Sequence, residues 1–304
     1  MATILVAIAA YNESHIKQTV NSILDNKSNK HDIQISVCEF RSDSRFSDLQ
    51  NKFVIHTKYE SSIPPGVGIV RYMALKNAQY FDYVLQCDAH MLFGKNWDEE
   101  IVSRYNAIVK NCKERVVISQ HVSPCREDEK DGMTPIKKNE QPSSLFIDDM
   151  FRVWSNNWVL ESTIDWKENY AVSAAYLFSE ASTFLDVPPD PHMWFYGEEH
   201  SMYFRLISRG IRSFSTDYID IYHLDKSDKY FNSLKANDWR TSYFSDTRAS
   251  IITSMDRYTL QRVASIFDGT ITGLWGAPNK ELAAEAIRIM NIDLKKFKAR
   301  FQCL

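Results

Sequence analysis

The chain has 304 residues, with 36 Lys and Arg against 39 Asp and Glu, a formal net charge of −3. Apolar residues make up 44% and charged residues 25%, the balance of a folded globular chain rather than a disordered one. The near-neutral total excludes wholesale electrostatic binding to nucleic acid, although a local basic groove is still compatible with it.

The five cysteines, Cys38, Cys87, Cys112, Cys125 and Cys303, are an odd number without a C-x-x-C pair. They point to neither a disulfide framework nor a zinc module, and the expected compartment is reducing and cytoplasmic. The N-terminus enters an apolar run without a basic leader, and no run is long enough to span a bilayer, so no membrane partner is expected.

Thr3 to Ala10 reads as a buried parallel strand, ended by Tyr11-Asn12-Glu13. Ile16, Val20, Ile23 and Leu24 then recur at helical spacing, with Asn12 or Ser14 as candidate caps. Ile33 to Phe40 and Phe53 to His56 are further strands. Strand, helix, strand is the βαβ pattern of a parallel sheet, whose ligands sit beyond the carboxyl ends of the strands. Tyr11, Asn12, Glu13, Glu39 and Asp43 fall at those ends.

Pro64-Pro65-Gly66-Val67-Gly68-Ile69-Val70-Arg71 leads into a helix to about Tyr80. A glycine-bearing helix start favours anions, and Arg71 adds a forked donor for phosphate. The alternative is a plain Pro/Gly turn with Arg71 in an ion pair. The stretch is neither a Walker loop nor a dinucleotide fingerprint.

Phe81 to His90 begins as a buried strand. On an extended chain Asp88 and His90 point to the same side, so a carboxylate oxygen and an imidazole nitrogen can reach one divalent cation. Mixed oxygen and nitrogen ligands suit Mn²⁺ better than Mg²⁺, and the expected role is to hold a diphosphate. An N-capping Asp88 beside an ordinary surface histidine is the plain alternative.

Phe93 to Tyr105 carries a helix, and Arg115 to Gln120 a buried strand. Pro124 to Ser144 is charged and poor in apolar residues, which reads as a long surface loop or lid. Phe146 to Trp166 is rich in aromatics. Ala171 to Phe178 reads as a strand, and Ala181 to Leu185 as a short helical link.

The proline cluster from Asp186 to Pro191 makes a rigid extended loop, followed by His192, Trp194, Phe195 and Tyr196. Gly197 opens a helix from Glu198 to Arg209, stopped by Gly210. Glu198 and Glu199 are favoured at a helix start in any case; the sharper reading turns one of them toward a cleft. Two short strands follow, and His223 at the end of the second is a candidate third metal ligand. Lys226 to Arg248 reads as a polar flap. Ser250 to Ile266, Leu282 to Met290 and Asp293 to Phe301 read as helices, the last with a small basic face.

Several of these pieces, in this order, resemble the GT-A glycosyltransferases. They are strand-Tyr11-Asn12-Glu13, Gly66-x-Gly68-x-x-Arg71, Asp88-Ala89-His90-Met91-x-Phe93 with Trp97-Asp98, and Asp190-Pro191-His192 through Tyr196-Gly197-Glu198-Glu199. The chain is most similar there to the cytoplasmic polypeptide N-acetylglucosaminyltransferases that act on hydroxyproline. Those proteins have serine where this chain has Ala89, and Phe-Gly-Glu-Glu where it has Tyr196-Gly197-Glu198-Glu199. The likeness covers roughly residues 4 to 225.

It implies an α/β fold with a mixed, mostly parallel sheet flanked by helices, spanning 1–225, and a flap and helical C-terminal extension over 226–304. It also implies a UDP-sugar donor, a Mn²⁺ or Mg²⁺ ion held by Asp88, His90 and His223, and transfer with retention. Tyr11, Asn12, Glu13 and Asp43 would lie near the nucleoside, Arg71 near the ribose or diphosphate, and Ala10, Gly68 and Ala89 beside the donor. Glu198, Glu199 and Trp194 are the candidate catalytic residues, the carboxylates orienting hydroxyls and Trp194 stacking on a ring. The expected acceptor is a macromolecular hydroxyl, either on a protein, as in hydroxyproline, or on a hydroxymethylated base of phage-type DNA. A silent nucleotide-sugar-binding protein and a metal-dependent nucleotide-sugar hydrolase are the competing classes.

Overall fold

A computed structural model describes residues 1–42, 46–61, 65–127, 132–136, 143–148, 151–157, 166–217, 219–224 and 246–302. Asp43 and nearly all of the expected flap lie outside the described residues. The N-terminal elements are β1 (Ala2–Tyr11), α1 (Ile16–Asn26), β2 (His31–Arg41), β3 (Val54–Glu60), α2 (Val67–Ala74), β4 (Tyr83–Asp88), β5 (Met91–Phe93) and α3 (Trp97–Cys112). Next come β6 (Val116–Ser119), β7 (Ser123–Glu127), β8 (Met133–Pro135), β9 (Ser143–Ile147), β10 (Val153–Asn157), β11 (Trp166–Asn169) and β12 (Tyr176–Glu180). The chain continues through α4 (Ala181–Asp186), α5 (Glu198–Ile207), β13 (Arg212–Thr216), β14 (Ile221–Leu224), α6 (Asp246–Phe267), α7 (Lys280–Met290) and α8 (Leu294–Gln302).

Eight strands form the main sheet in the order β11-β13-β6-β12-β4-β1-β2-β3. The β4-β1-β2-β3 half is parallel, with Ala9 of β1 level with Asp88 of β4. Strand β12 runs antiparallel to both β4 and β6. Alternate residues of β1 feed opposite faces, as period-two side chains must. Ile4, Val6 and Ile8 pack with Ile16, Val20, Trp97 and Ile101 beneath α1 and α3. Leu5, Ala7 and Ala9 pack on the other face with Val70, Phe204, Val263 and Phe267. Burial on both faces explains why β1 is apolar throughout instead of alternating.

The Trp97-Asp98 pair has a structural role. The buried Asp98 carboxylate accepts from Ser28 N (2.6 Å) and Ser28 Oγ (2.8 Å), and Trp97 Nε1 donates to Ile23 O (3.1 Å). Together they lock α3 against the end of α1.

Two local expectations change. The described part of Pro124 to Ser144 is not a loop: β7 and β8 join β14 and β5 in a second sheet, ordered β5-β14-β7-β8. Among the described residues, Cys125 and Met133 of this stretch are buried with Leu224 in a small core of their own, which needs little apolar content. Neither Asn12 nor Ser14 caps α1, whose N-cap position is His15 without a side-chain bond. Asn12 instead adopts φ 47° and accepts from Ser42 N (2.9 Å), tying the end of β1 to the end of β2.

The C-terminal helices are built into the body. Arg262 Nε of α6 donates to the buried Asp190 carboxylate (2.8 Å), and Trp194 N donates to Thr259 Oγ1 (3.0 Å). Gly197, at φ +86°, lies so close to α6 that a Cβ would stand 2.6 Å from Val263 Cγ2. Among the described residues no helix is long and apolar enough to cross a membrane.

Candidate active site

The site forms where β4 ends. Asp88 is the last residue of that strand, and Ala89 and His90 form a bend before β5. The chain is therefore not extended through the motif, as alternation alone would have it. Thr19 of α1 produces the bend: its hydroxyl donates to Ala89 O (2.9 Å) and accepts from Met91 N (3.0 Å). Strand β14 pairs with β5, bringing His223 level with Met91, and Leu224 N donates to His90 O (3.0 Å).

Asp88, His90 and His223 consequently converge, each offering one ligand atom, all within 4.8 Å of one another. His223 Nε2 stands 3.3 Å from Asp88 Oδ2, and His90 Nε2 stands 3.9 Å from it. One carboxylate oxygen and two imidazole nitrogens at that spacing form a donor set that fits a divalent transition-metal ion.

Glu13 fixes the orientation of His90. Its buried carboxylate meets His90 Nδ1 at 2.9 Å, while its other oxygen accepts from His15 N (3.1 Å). A carboxylate on Nδ1 holds the proton there and leaves Nε2 as the lone-pair nitrogen, a common arrangement behind metal-bound histidines. Glu13, expected near the nucleoside, is thus placed behind a ligand.

Arg71 is buried between two carboxylates. Its Nη2 donates to Asp88 Oδ1 (2.8 Å) and its Nη1 to Glu198 Oε2 (2.6 Å). Burial works against its cation, but Glu198 and Asp88 outweigh that and hold it firmly charged. For Asp88, burial is opposed by the His223 hydrogen bond and by the charges of Arg71, His90 and His223, which keep its carboxyl well below the usual carboxylate range. Burial lifts Glu198 above its ordinary value despite Arg71, and its Oε1 is buried without a partner among the described residues. Glu199 accepts from Ala174 N (2.9 Å), and burial, reinforced by Glu198, pushes it up to about 7.

The remaining expected residues are placed as follows. Ala10 and Tyr11 are buried within β1, and Ala89 takes part through its carbonyl. Gly68 has a packing role: its N–H donates to Met193 O (3.0 Å), and a Cβ would stand 2.1 Å from Asp190 O. Val67 N likewise donates to Trp194 O (2.7 Å), so the start of α2 spends these donors on the proline loop and not on an anion. Trp194 is 4% exposed and lies against Gly66, with its indole nitrogen unpartnered among the described residues. Tyr196 is half exposed.

No sequence signal marks Thr19, and Glu39 stands out in the sequence only by its place at the end of a strand. Thr19 shapes the metal turn, but a threonine inside a helical pattern carries no outward signal. Glu39 is fully buried at the end of β2, bonded to His56 Nε2 (2.7 Å) and Ser47 Oγ (3.0 Å). It anchors the chain after the 43–45 segment, a role visible only once β3 is paired.

A mixed, mostly parallel sheet flanked by helices, with three candidate cation ligands gathered beyond its central strand, is a GT-A-like fold. The chain belongs to the glycosyltransferase (GlcNAc) family, whose model matches residues 44–265. Among solved structures it is similar to GalNAc-T7 with UDP, GalNAc and Mn²⁺, at 12% identity and a TM-score of 0.60, covering 99% of this chain and 57% of that one. It is also similar to S. aureus TarS 1-349 in complex with UDP-GlcNAc, at 14% identity and a TM-score of 0.54, covering 98% of this chain and 73% of that one. This chain thus spans little more than half the length of the GalNAc-T7 structure. No curated protein matches it in a sequence search.

Proposed function

We propose that the protein transfers a sugar from a nucleotide-sugar donor, a UDP-sugar, to a hydroxyl of a macromolecular acceptor, with a divalent metal ion at Asp88, His90 and His223. The observation that carries this reading is the convergence of those three ligand atoms within 4.8 Å at the end of a parallel strand. Support comes from the family membership and from the UDP and UDP-GlcNAc in the two similar structures.

Transfer breaks the bond between the anomeric carbon and the diphosphate oxygen, and the electron pair leaves with the diphosphate. The acceptor oxygen forms the new bond to that carbon and gives up its proton to the departing diphosphate. A bound divalent ion supplies charge stabilisation to the leaving group. Glu13 keeps the His90 lone pair aimed at the ion. Arg71 neutralises Asp88 and Glu198, so that two carboxylates can sit beside a site meant for a polyanion. Glu198 offers its unpartnered Oε1 to a sugar or acceptor hydroxyl. Glu199, poised near neutrality, is the group able to accept or release a proton at working pH. The acceptor classes remain a protein hydroxyl such as hydroxyproline and a hydroxymethylated DNA base, with retention at the anomeric carbon.

Calorimetry of UDP binding with and without Mn²⁺, on wild type and His90→Ala, tests this reading. Metal-dependent UDP binding that the substitution abolishes supports it. Absence of UDP binding with either metal refutes the UDP-sugar assignment. Incubation of UDP-sugars with each acceptor class then separates transfer from hydrolysis, since a hydrolase releases free sugar regardless of acceptor.

A further inference from the structure

A cleft of about 320 Å³ opens on the side of the metal ligands away from β1 and β2. Its walls come from the link after β6, the entry to β12, and β14. His223 belongs to both the metal cluster and this wall. The sheet order fixes the direction: β12 and β6 follow β4 on the side opposite β1, so the end of β6 lies two strand spacings away, about 10 Å. A diphosphate held at Asp88, His90 and His223 would therefore have this cleft directly beside its leaving bond, because His223 is shared by the two.

The cleft carries uncommitted polar atoms. Gln120 is 6% exposed, and its Oε1 accepts from Thr216 N (2.9 Å) and Thr216 Oγ1 (3.0 Å). Among the described residues its amide nitrogen has no partner, so a fixed, nearly buried side chain keeps a spare donor. His121 contacts Ser155 Oγ of β10 through Nδ1 (3.2 Å), and its Nε2 has no partner among the described residues. Val122, Pro124 and Leu224 supply apolar wall. A concave, mostly apolar site with a few fixed polar groups is the form of a small-ligand pocket, and this volume is at the low end of that range.

We propose that this cleft is the acceptor subsite, taking one ring or side-chain-sized group that bears the reacting hydroxyl, with Gln120 and His121 as the residues that orient it. The inference rests on the metal-and-diphosphate reading of Asp88, His90 and His223. It confines the acceptor's reacting unit to a single ring; the rest of the macromolecule stays outside the cleft.

The test uses the full chain loaded with Mn²⁺ and UDP, with two ring alcohols as probes, methyl glucoside and trans-4-hydroxyproline amide. Nuclear relaxation of the probe protons reports their distance from Mn²⁺. The expected result is at least a twofold rise in relaxation rate over the Mg²⁺-loaded protein for one probe, lost in Val122→Trp, which fills the cleft. UDP affinity with Mn²⁺ should stay within twofold of wild type in that variant. His121→Ala should weaken the effect severalfold while Ser155→Ala, which breaks the same hydrogen bond but keeps the ring, should not. No enhancement with UDP and Mn²⁺ bound, or enhancement that survives Val122→Trp, overturns the subsite. Equal loss in Ser155→Ala removes His121 from it and leaves the ring only as an anchor for β10. Failure of UDP and Mn²⁺ to bind wild type is seen separately in the calorimetry and sinks the donor reading on which the subsite depends.

Discussion

Replacing Glu13 by Gln changes one atom of a residue that is 4% exposed, yet it should weaken the metal site. The Glu13 carboxylate accepts from His15 N with one oxygen and holds His90 Nδ1 with the other, at 3.1 and 2.9 Å. Glutamine has a single acceptor oxygen. If that oxygen keeps His15, the amide group faces His90 Nδ1 and forces the proton onto Nε2, the nitrogen needed for the ion. If it turns to His90, the amide meets the His15 N–H, donor against donor. Loss of such an outer partner costs about 10- to 100-fold in metal affinity. At about 1.4 kcal/mol per decade that is ~1.4–2.8 kcal/mol, which agrees with the ~1.5–3 kcal/mol of a hydrogen bond to a charged group. Mn²⁺ titration followed by electron paramagnetic resonance measures it directly. Mn²⁺ affinity should fall by one to two decades while metal-free melting temperature moves little. An affinity within twofold of wild type would refute the second-layer role of Glu13.

Other substitutions probe different parts of the site. Arg71→Met leaves Asp88 and Glu198 without their shared counter-charge; breaking a buried pair costs about 3–5 kcal/mol, and an unchanged urea midpoint without added metal would show the pairs to be unimportant. Burial raises the Glu199 carboxyl in the folded state to about 7, from an ordinary value near 4.5. Its neutral form therefore favours the fold: the contribution is complete below about pH 4.5 and is lost as pH rises through 7. In chelator, wild-type stability should fall between pH 5 and 8 more steeply than that of Glu199→Gln, and parallel profiles would refute the assignment. Gly68→Ala places a Cβ 2.1 Å from Asp190 O. Overpacking of this kind costs about 1–3 kcal/mol and should lower metal-dependent UDP binding through Arg71; a variant indistinguishable from wild type in both would show that α2 shifts freely.

Much of the fold was legible because its parallel half is locally written. β1 is an unbroken apolar run, α1 has clear helical spacing, and β4 ends on polar residues. These fix the sheet, and the proposed metal ligands Asp88 and His90 lie at its most predictable point. His223 stood out only by its place at a strand end, since 133 residues separate it from His90 and the pairing of β14 with β5 is what brings it near. The roles of Arg71, Gly68 and Trp194 were not legible for a different reason. Their residue types suit an anion or a ring, but the Met193 carbonyl takes the Gly68 N–H, the Glu198 carboxylate takes an Arg71 N–H, and Trp194 is buried against Gly66, all through partners more than a hundred residues away in sequence. Pairing likewise turned the polar stretch after Pro124 into strands: β7 hides mainly Cys125, too little apolar surface to give an alternating pattern.

The contact between Asp190 and Arg262, with Gly197 pressed on Val263, has a consequence for synthesis. All three proposed metal ligands have been translated by residue 224, but the loop that positions Glu198 is clamped by a helix that starts at residue 246. A growing chain can therefore assemble its cation ligands before the carboxylate that offers a hydroxyl partner is locked in place. The C-terminal helices therefore complete the setting of Glu198 last, through the Arg262–Asp190 pair and the contact of Gly197 with Val263.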